Sequence, residues 1–406
     1  MRGRWWSILL EEPTRRRHCA GRARFPGCTM NRHRLVSSLL DWFAAHGRDL
    51  PWRRTYDPYQ VWISEIMLQQ TRMERAVVYF QRWLALFPDA AAVAAASEEE
   101  VLKAWEGLGY YRRARQLMAC ARILVERFRG QIPADHQALL ALPGIGRYTA
   151  GAIMGIAFDA PFPAVDGNVI RVLARLFDLP GRASDPAFKE GVWELAGELL
   201  PATAPRAFNQ ALMELGALVC LPRRPRCPVC PVASFCLARA RDTIHERPGR
   251  AGRPRTIPII MATGMLVHQG RVFVQKRPAV GVWANLWELP GGEIEDGESA
   301  AAALVREFAE ETELAVGELA PLAVVRHTYT RYRVTQHCFS CRLLAAEPRV
   351  VLHAAQEYRW VTATDLASLA LPAGHRQLVS LLAADGRLAA LLTASAAQPF
   401  RSTNFP

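Results

Sequence analysis

The chain has 406 residues, 50% of them apolar, so it can bury two or three domain cores and is not a disordered polymer. No apolar run approaches the length of a membrane span, and no membrane partner is expected. Fifty Lys and Arg against 38 Asp and Glu give a net charge of +12, carried by residues 1–30 and 221–256, which suits a polyanionic partner.

Residues 1–30 hold seven arginines against Glu11 and Glu12. They lack an amphipathic pattern, and Pro13, Pro26 and three glycines break them, so an N-terminal extension with Met30 as the functional start is the simpler expectation. A bacterial cytoplasmic, nucleoid-associated location is the expectation. A mitochondrial or nuclear one requires those residues to be a targeting segment.

From Leu35 to about Ala240 the apolar period is helical, as in Leu35, Leu39, Leu40 and Phe43, with short helices cut by Pro and Gly. Val61-Trp62-Ile63-Ser64-Glu65-Ile66-Met67-Leu68-Gln69-Gln70-Thr71 sets a lone acid among large apolar residues. If Glu65 faces a closed apolar pocket, desolvation raises its pKa and it holds a proton near neutrality, ready to donate it. Leu142-Pro143-Gly144-Ile145-Gly146-Arg147-Tyr148 reads as helix, tight glycine turn, helix, and Gly144 and Gly146 free N–H groups for a phosphate at a helix start. In Pro163-Ala164-Val165-Asp166-Gly167-Asn168, either Asp166 or Asn168 can cap a helix beginning at Val169. Asn168 is placed near the cap and Asp166 toward a pocket.

Cys220, Cys227, Cys230 and Cys236 follow among prolines, and four thiolates in so short a loop can close around one metal centre. Zinc and a cubane iron–sulfur cluster both qualify, although zinc sites usually pair two short knuckles and only Cys227–Cys230 is one. Nine cysteines, an odd number with four needed as thiolates, point to a reducing compartment. Cys338 and Cys341 lie in a strand-like run where they face opposite sides, so no metal or redox role is expected there. Cys19, Cys28 and Cys120 are read as inert.

Residues 245–256 form a basic linker, after which the period changes. Strands are expected at 257–267 and 271–275 around a Gln269-Gly270 turn, a helix from Ser299 to about Thr312, strands near 322–344 and a short helix near 364–370. The fold class is therefore multi-domain: an all-α domain at 31–244 with its cysteine loop at 220–236, then an α+β domain at 257–395 and a tail at 396–406.

The cysteine spacing, the Leu142–Gly151 hairpin and the string Ser64-Glu65-Ile66-Met67-Leu68-Gln69-Gln70-Thr71 together resemble the helix-hairpin-helix glycosylases of the endonuclease III superfamily, and within it adenine DNA glycosylases of the MutY type. The likeness covers residues 31 to about 245. It implies a [4Fe-4S] cluster on the four cysteines, Glu65 as the acid that protonates adenine, Asp166 as the carboxylate that stabilises the sugar cation, and Tyr148 and Asn168 as positioning groups. Tyr148 stands where strand-cutting relatives carry a lysine, which implies base removal without a lyase step. Gly107-Leu108-Gly109-Tyr110-Tyr111 matches the loop whose first tyrosine wedges into the duplex, so Tyr110 is the wedge, Gln70 fills the gap left by the extruded base, and Tyr111 is core.

Gly292, Glu298, Arg306, Glu307, Glu310 and Glu311 match the Nudix box, with Glu313 in place of its usual glycine, and magnesium is the ion such a box holds. Tyr329-Thr330-Arg331 stands where Phe-Ser-His is typical, and Thr330 is the residue expected at 8-oxoguanine. The resemblance thus implies a monomer acting on double-stranded DNA with adenine opposite 8-oxoguanine or guanine. Its rivals are a thymine–guanine mismatch glycosylase, which can share Tyr148 and Asp166, and a nucleotide pyrophosphohydrolase working through the Nudix box.

Overall fold

The structure, a computed structural model, describes residues 31–249, 252, 255–345 and 349–396. The expected N-terminal extension with Cys19 and Cys28, part of the linker, and the tail beyond Ala396 lie outside the described residues.

The first half is helical, and its helices begin where short polar side chains can close them. Asp57, Asp89, Ser97, Asp135, Asp166 and Asp185 each accept a backbone N–H at a helix start. Two apolar cores result. One gathers Trp62, Phe80, Trp83, Trp105 and Leu124 from residues 50 to 154. The other gathers Leu35 and Leu39 of the helix Arg32–His46 with Leu173, Phe208 and Leu212. Side chains of this size contribute about 1.5–3 kcal/mol each when fully buried. The first helix thus packs on Pro205–Leu218, near the other end of the half.

A small apolar cluster of Val61, Ala152, Ile156 and Ala164 lies apart from both, with Tyr148 packed against it. The helix Arg147–Ala152 runs on there into a π-helical turn, Ile153–Ala157. Gly151 lets the segment ahead of Asp166 pass close to this helix: a Cβ on it would collide with the Pro163 carbonyl oxygen.

The second half is a six-stranded mixed sheet of β1 (Ile257–His268), β2 (Arg271–Lys276), β3 (Trp287–Glu288), β4 (Val316–Tyr329), β5 (Tyr332–Leu343) and β6 (Tyr358–Val361). Its order is β3-β2-β1-β5-β4, and β6 also pairs with β2. Gln269 and Gly270, at φ 47° and 73°, turn β1 into β2. β1 runs parallel to β5 from Ile257↔Tyr332 to Leu266↔Cys341, and β4 and β5 form a long antiparallel hairpin.

The helix Ala300–Thr312 covers one face of the sheet through Leu304 and Phe308. Two further helices, Ala373–Ala384 and Arg387–Ala396, cover the other through Leu378, Leu382 and Leu388. Cys341 lies in the first of these cores and Cys338 in the second, on opposite faces. No single helix among the described residues is long and apolar enough to cross a membrane.

The halves meet along the helix Glu98–Trp105. Glu99 pairs with Lys276 and Arg359 at 3.1 Å each, and Glu106 takes Lys103 at 2.7 Å and Arg376 at 2.9 Å. Leu286 and Ala370 complete the apolar core of the helical half.

Candidate active site

The helix Pro58–Leu68 is buried from Tyr59 to Met67 apart from Gln60, so an acid within it has only a cavity to face. Glu65, 5% exposed, lines one of about 580 Å³ together with Tyr148, Asp166, Asn168, Arg53 and Glu214. The Tyr148 hydroxyl, on the first turn of its helix, donates a short hydrogen bond to the Glu65 carboxyl. Burial pushes Glu65 up to about 7; the Tyr148 bond and Arg53 pull against that, and the Asp166 carboxylate adds to it. Burial, with those two acids beside it, raises the Tyr148 phenol well above its ordinary value, so it stays a neutral donor.

Asp166 caps the helix Gly167–Leu176: Oδ1 accepts the Val169 N–H at 2.7 Å and Oδ2 accepts from Asn168 Nδ2 at 2.7 Å. This corrects the expected division of labour. The chain is already helical at Gly167, so Asn168 lies inside the helix, and Asp166 is at once the cap and the residue facing the cavity. Burial raises the Asp166 carboxyl, against the pull of those two donors.

Three charged residues that sequence reasoning passed over also shape the cavity. Glu214 accepts from Arg48 at 2.6 Å and from Arg53 at 2.9 Å. Its burial alone would raise its pKa, yet the two guanidiniums hold it down to about 2. The same cavity therefore has one carboxyl poised near neutrality and one locked as an anion. Arg48 and Glu214 stand far apart in the chain, and no local pattern signals their pairing.

Gln70, at the exit of the helix Pro58–Leu68, borders this cavity and a second of about 580 Å³. The second is lined by Tyr110, Arg113, Trp283 and Tyr329, so the structure brings Gln70 and Tyr110 together. Tyr111 is buried, with its hydroxyl 3.4 Å from the Leu371 carbonyl oxygen. Thr330 does not line the cavity: it is exposed at the β4–β5 turn, and the hairpin contributes Tyr329 instead, packed on Trp283 at 5.0 Å. Gly144 and Gly146 are exposed at the hairpin turn, where Gly144 adopts φ 76° and a Cβ would press on Gln116.

Cys220, Cys227, Cys230 and Cys236 surround one small cavity. Arg175, buried, donates to Cys220 Sγ at 3.3 Å and to the carbonyls of Leu221 and Pro222. Arg171 ties the loop to the aspartate segment through Cys220 O at 2.7 Å and Asn168 Oδ1 at 2.8 Å. In the Nudix box, Arg306 pairs with Glu298, Glu307 and Glu310 at 2.9–3.0 Å, and Glu313 holds φ 57° at the usual glycine position. Burial and the neighbouring Glu288 push Glu311 up to about 7. Among the described residues no three His, Cys, Asp or Glu side chains converge as ligands of a single ion, so the magnesium expected at the box finds no assembled ligand set.

Comparison with known proteins adds two family matches. Residues 63–198 match the HhH-GPD superfamily base excision DNA repair protein and residues 262–381 the NUDIX domain. Adenine DNA glycosylase of Homo sapiens is 33% identical over 397 residues, covering 84% of this chain and 72% of that protein. That of Buchnera aphidicola subsp. Schizaphis graminum is 33% identical over 62% of this chain and 73% of its own length. The match to the Rattus norvegicus protein is 43% identical but spans 54% of this chain and only 43% of the relative.

Proposed function

From the chain's membership of the adenine DNA glycosylase family, we propose that it removes adenine paired with 8-oxoguanine or guanine from double-stranded DNA by hydrolysing the N-glycosidic bond. The observation that carries this is the convergence of Glu65, Tyr148 and Asp166 on one cavity, with Glu65 held near 7.

At neutral pH a large share of Glu65 is protonated, and its proton passes to a ring nitrogen of the extruded adenine, which turns the base into a leaving group. Positive charge then grows on the sugar. Asp166, fixed by Val169 N–H and Asn168, presents a carboxylate to it, and water adds to the sugar to leave an abasic site. Tyr148 orients Glu65 and has no amine with which to form an imine, so the backbone stays intact. Tyr110 wedges into the duplex beside the target and Gln70 fills the gap that the extruded adenine leaves, the two bordering one cavity.

The four cysteines are read as ligands of a [4Fe-4S] cluster, which would staple the loop. The four thiols line one small cavity, and their spacing has only one short knuckle, Cys227–Cys230, where zinc sites usually pair two. The second half is read as the part that faces the oxidised guanine, with Tyr329 and Trp283 at the shared cavity.

Glu65→Gln keeps the side chain's shape and removes its transferable proton. It is expected to bind an adenine:8-oxoguanine duplex and to lose single-turnover excision by roughly a hundredfold or more. Excision within a few-fold of the parent overturns the reading.

A further inference from the structure

Gln70 and Tyr110 belong to different elements, the exit of the helix Pro58–Leu68 and the loop ahead of the helix Arg112–Phe128. Both hold the left-handed backbone region, at φ 59° and 50°, which side-chain-bearing residues rarely enter unless their surroundings impose it. Both lie beside one half-buried cation, Arg113, whose Nε is shut off from solvent. One of its terminal nitrogens donates to the carbonyls of Ile66 at 2.8 Å and Gln69 at 2.6 Å. The other donates to Leu108 at 3.2 Å and Gly109 at 3.1 Å.

With a longer bond to Met67 O at 3.4 Å, the five acceptors are therefore residues leading into Gln70 on one side and into Tyr110 on the other. The rings of Trp105 and Tyr110 flank the guanidinium at 5.2 and 5.6 Å. Among the described residues no carboxylate pairs with Arg113, and its Nε has no partner. A partly desolvated charge satisfied only by carbonyls and ring faces is a poor stabiliser of the fold in general. Its geometry is instead that of a fork gripping two strands of chain.

We propose that Arg113 is a positioning residue for base extrusion, clasping the Gln70 and Tyr110 arms at the spacing at which both enter the duplex. Arg113 touches neither the base nor the sugar, and it acts before bond breaking. The inference rests on the reading that adenine in duplex DNA is the substrate. Lysine cannot substitute, because a point charge on a flexible stem does not reach two carbonyl pairs in a planar fork.

The test uses the full-length protein with a duplex carrying 2-aminopurine at the target position opposite 8-oxoguanine, whose fluorescence rises when the base leaves the stack. In a Glu65→Gln background the rise at saturating protein is expected to fall to less than about half when Arg113→Lys is added, with duplex affinity changed less than about threefold. With Glu65 intact, Arg113→Lys is expected to slow single-turnover excision by roughly ten- to a hundredfold. Arg113→Gln is made in parallel, and the variant that keeps the parent's melting temperature is read.

Full fluorescence with slow excision overturns the inference, because the defect then lies in the chemical step. Excision at the parent rate overturns it as well. If neither variant folds, Arg113 serves folding at large and the positioning role falls. A parent that neither brightens the probe nor excises adenine refutes the functional reading instead.

Discussion

Glu65 owes its proton to its surroundings. Burial holds its carboxyl near 7, the Tyr148 hydroxyl works in the opposite direction, and the reaction needs the protonated form. Excision should therefore fall as pH rises through about 7. On the acid side it should fall where Asp166 becomes protonated, above the ordinary aspartate range because burial raises that group too. Tyr148→Phe removes a donor that favours the ionised Glu65, so its alkaline limb should move to higher pH. Single-turnover rates across pH for parent and variant check both statements, and coincident alkaline limbs would mean that Tyr148 does not bond Glu65 when DNA is bound.

The helix Gly167–Leu176 is started by the same carboxylate that faces the cavity, so stability and chemistry can be separated by substitution. Asp166→Asn keeps an acceptor for the Val169 N–H and should leave denaturant unfolding nearly unchanged while abolishing excision. Asp166→Ala loses the cap as well and should cost about 1 kcal/mol of stability. Equal stability of the two variants, or an active Asp166→Asn, would contradict this.

Elements of this kind were only partly legible in the sequence. The Gln269-Gly270 turn and the strands around it could be read because turn chemistry is local. Asp166 and Asn168 could not be ranked, since both are good caps and only the chain's entry into helix at Gly167 decides. The pair Ala373–Ala384 and Arg387–Ala396 was missed. The parallel contact of β1 with β5 joins residues some 75 apart and has no signature in either strand alone. Glu65 was readable as a lone acid in an apolar helix. Arg113, Arg171 and Glu214 were not, because a buried charge held by distant partners looks like any surface charge until the chain is folded.

Across the whole molecule the two halves are joined by charge as well as by the apolar contact of Leu286 and Ala370. Glu99 and Glu106 on one side meet Lys276, Arg359 and Arg376 on the other, and Lys103 reaches the carbonyls of Ala367 and Leu369. Ion pairs that are only partly exposed weaken as salt rises, though less than surface pairs do. Arg376→Ala removes the bonds to Glu106 and to Leu369 O. Its two halves should be separated by trypsin several-fold faster than the parent's, with a larger acceleration at high salt. Cleavage rates identical to the parent's at every salt concentration would show that this contact does not hold the halves together.

Glu106 also immediately precedes the loop of Gly107 to Tyr110, and its partners Leu371 and Arg376 lie 265 and 270 residues further along. At roughly 5–20 residues per second, a ribosome needs on the order of tens of seconds to deliver them after Glu106 has emerged. Through that interval the nascent helical half carries the Tyr110 loop without the bonds that Leu371 and Arg376 make to Glu106. A chain interrupted before residue 376 lacks the Arg376 brace on the residue just ahead of the wedge loop, although Glu65, Tyr148 and Asp166 have all been made.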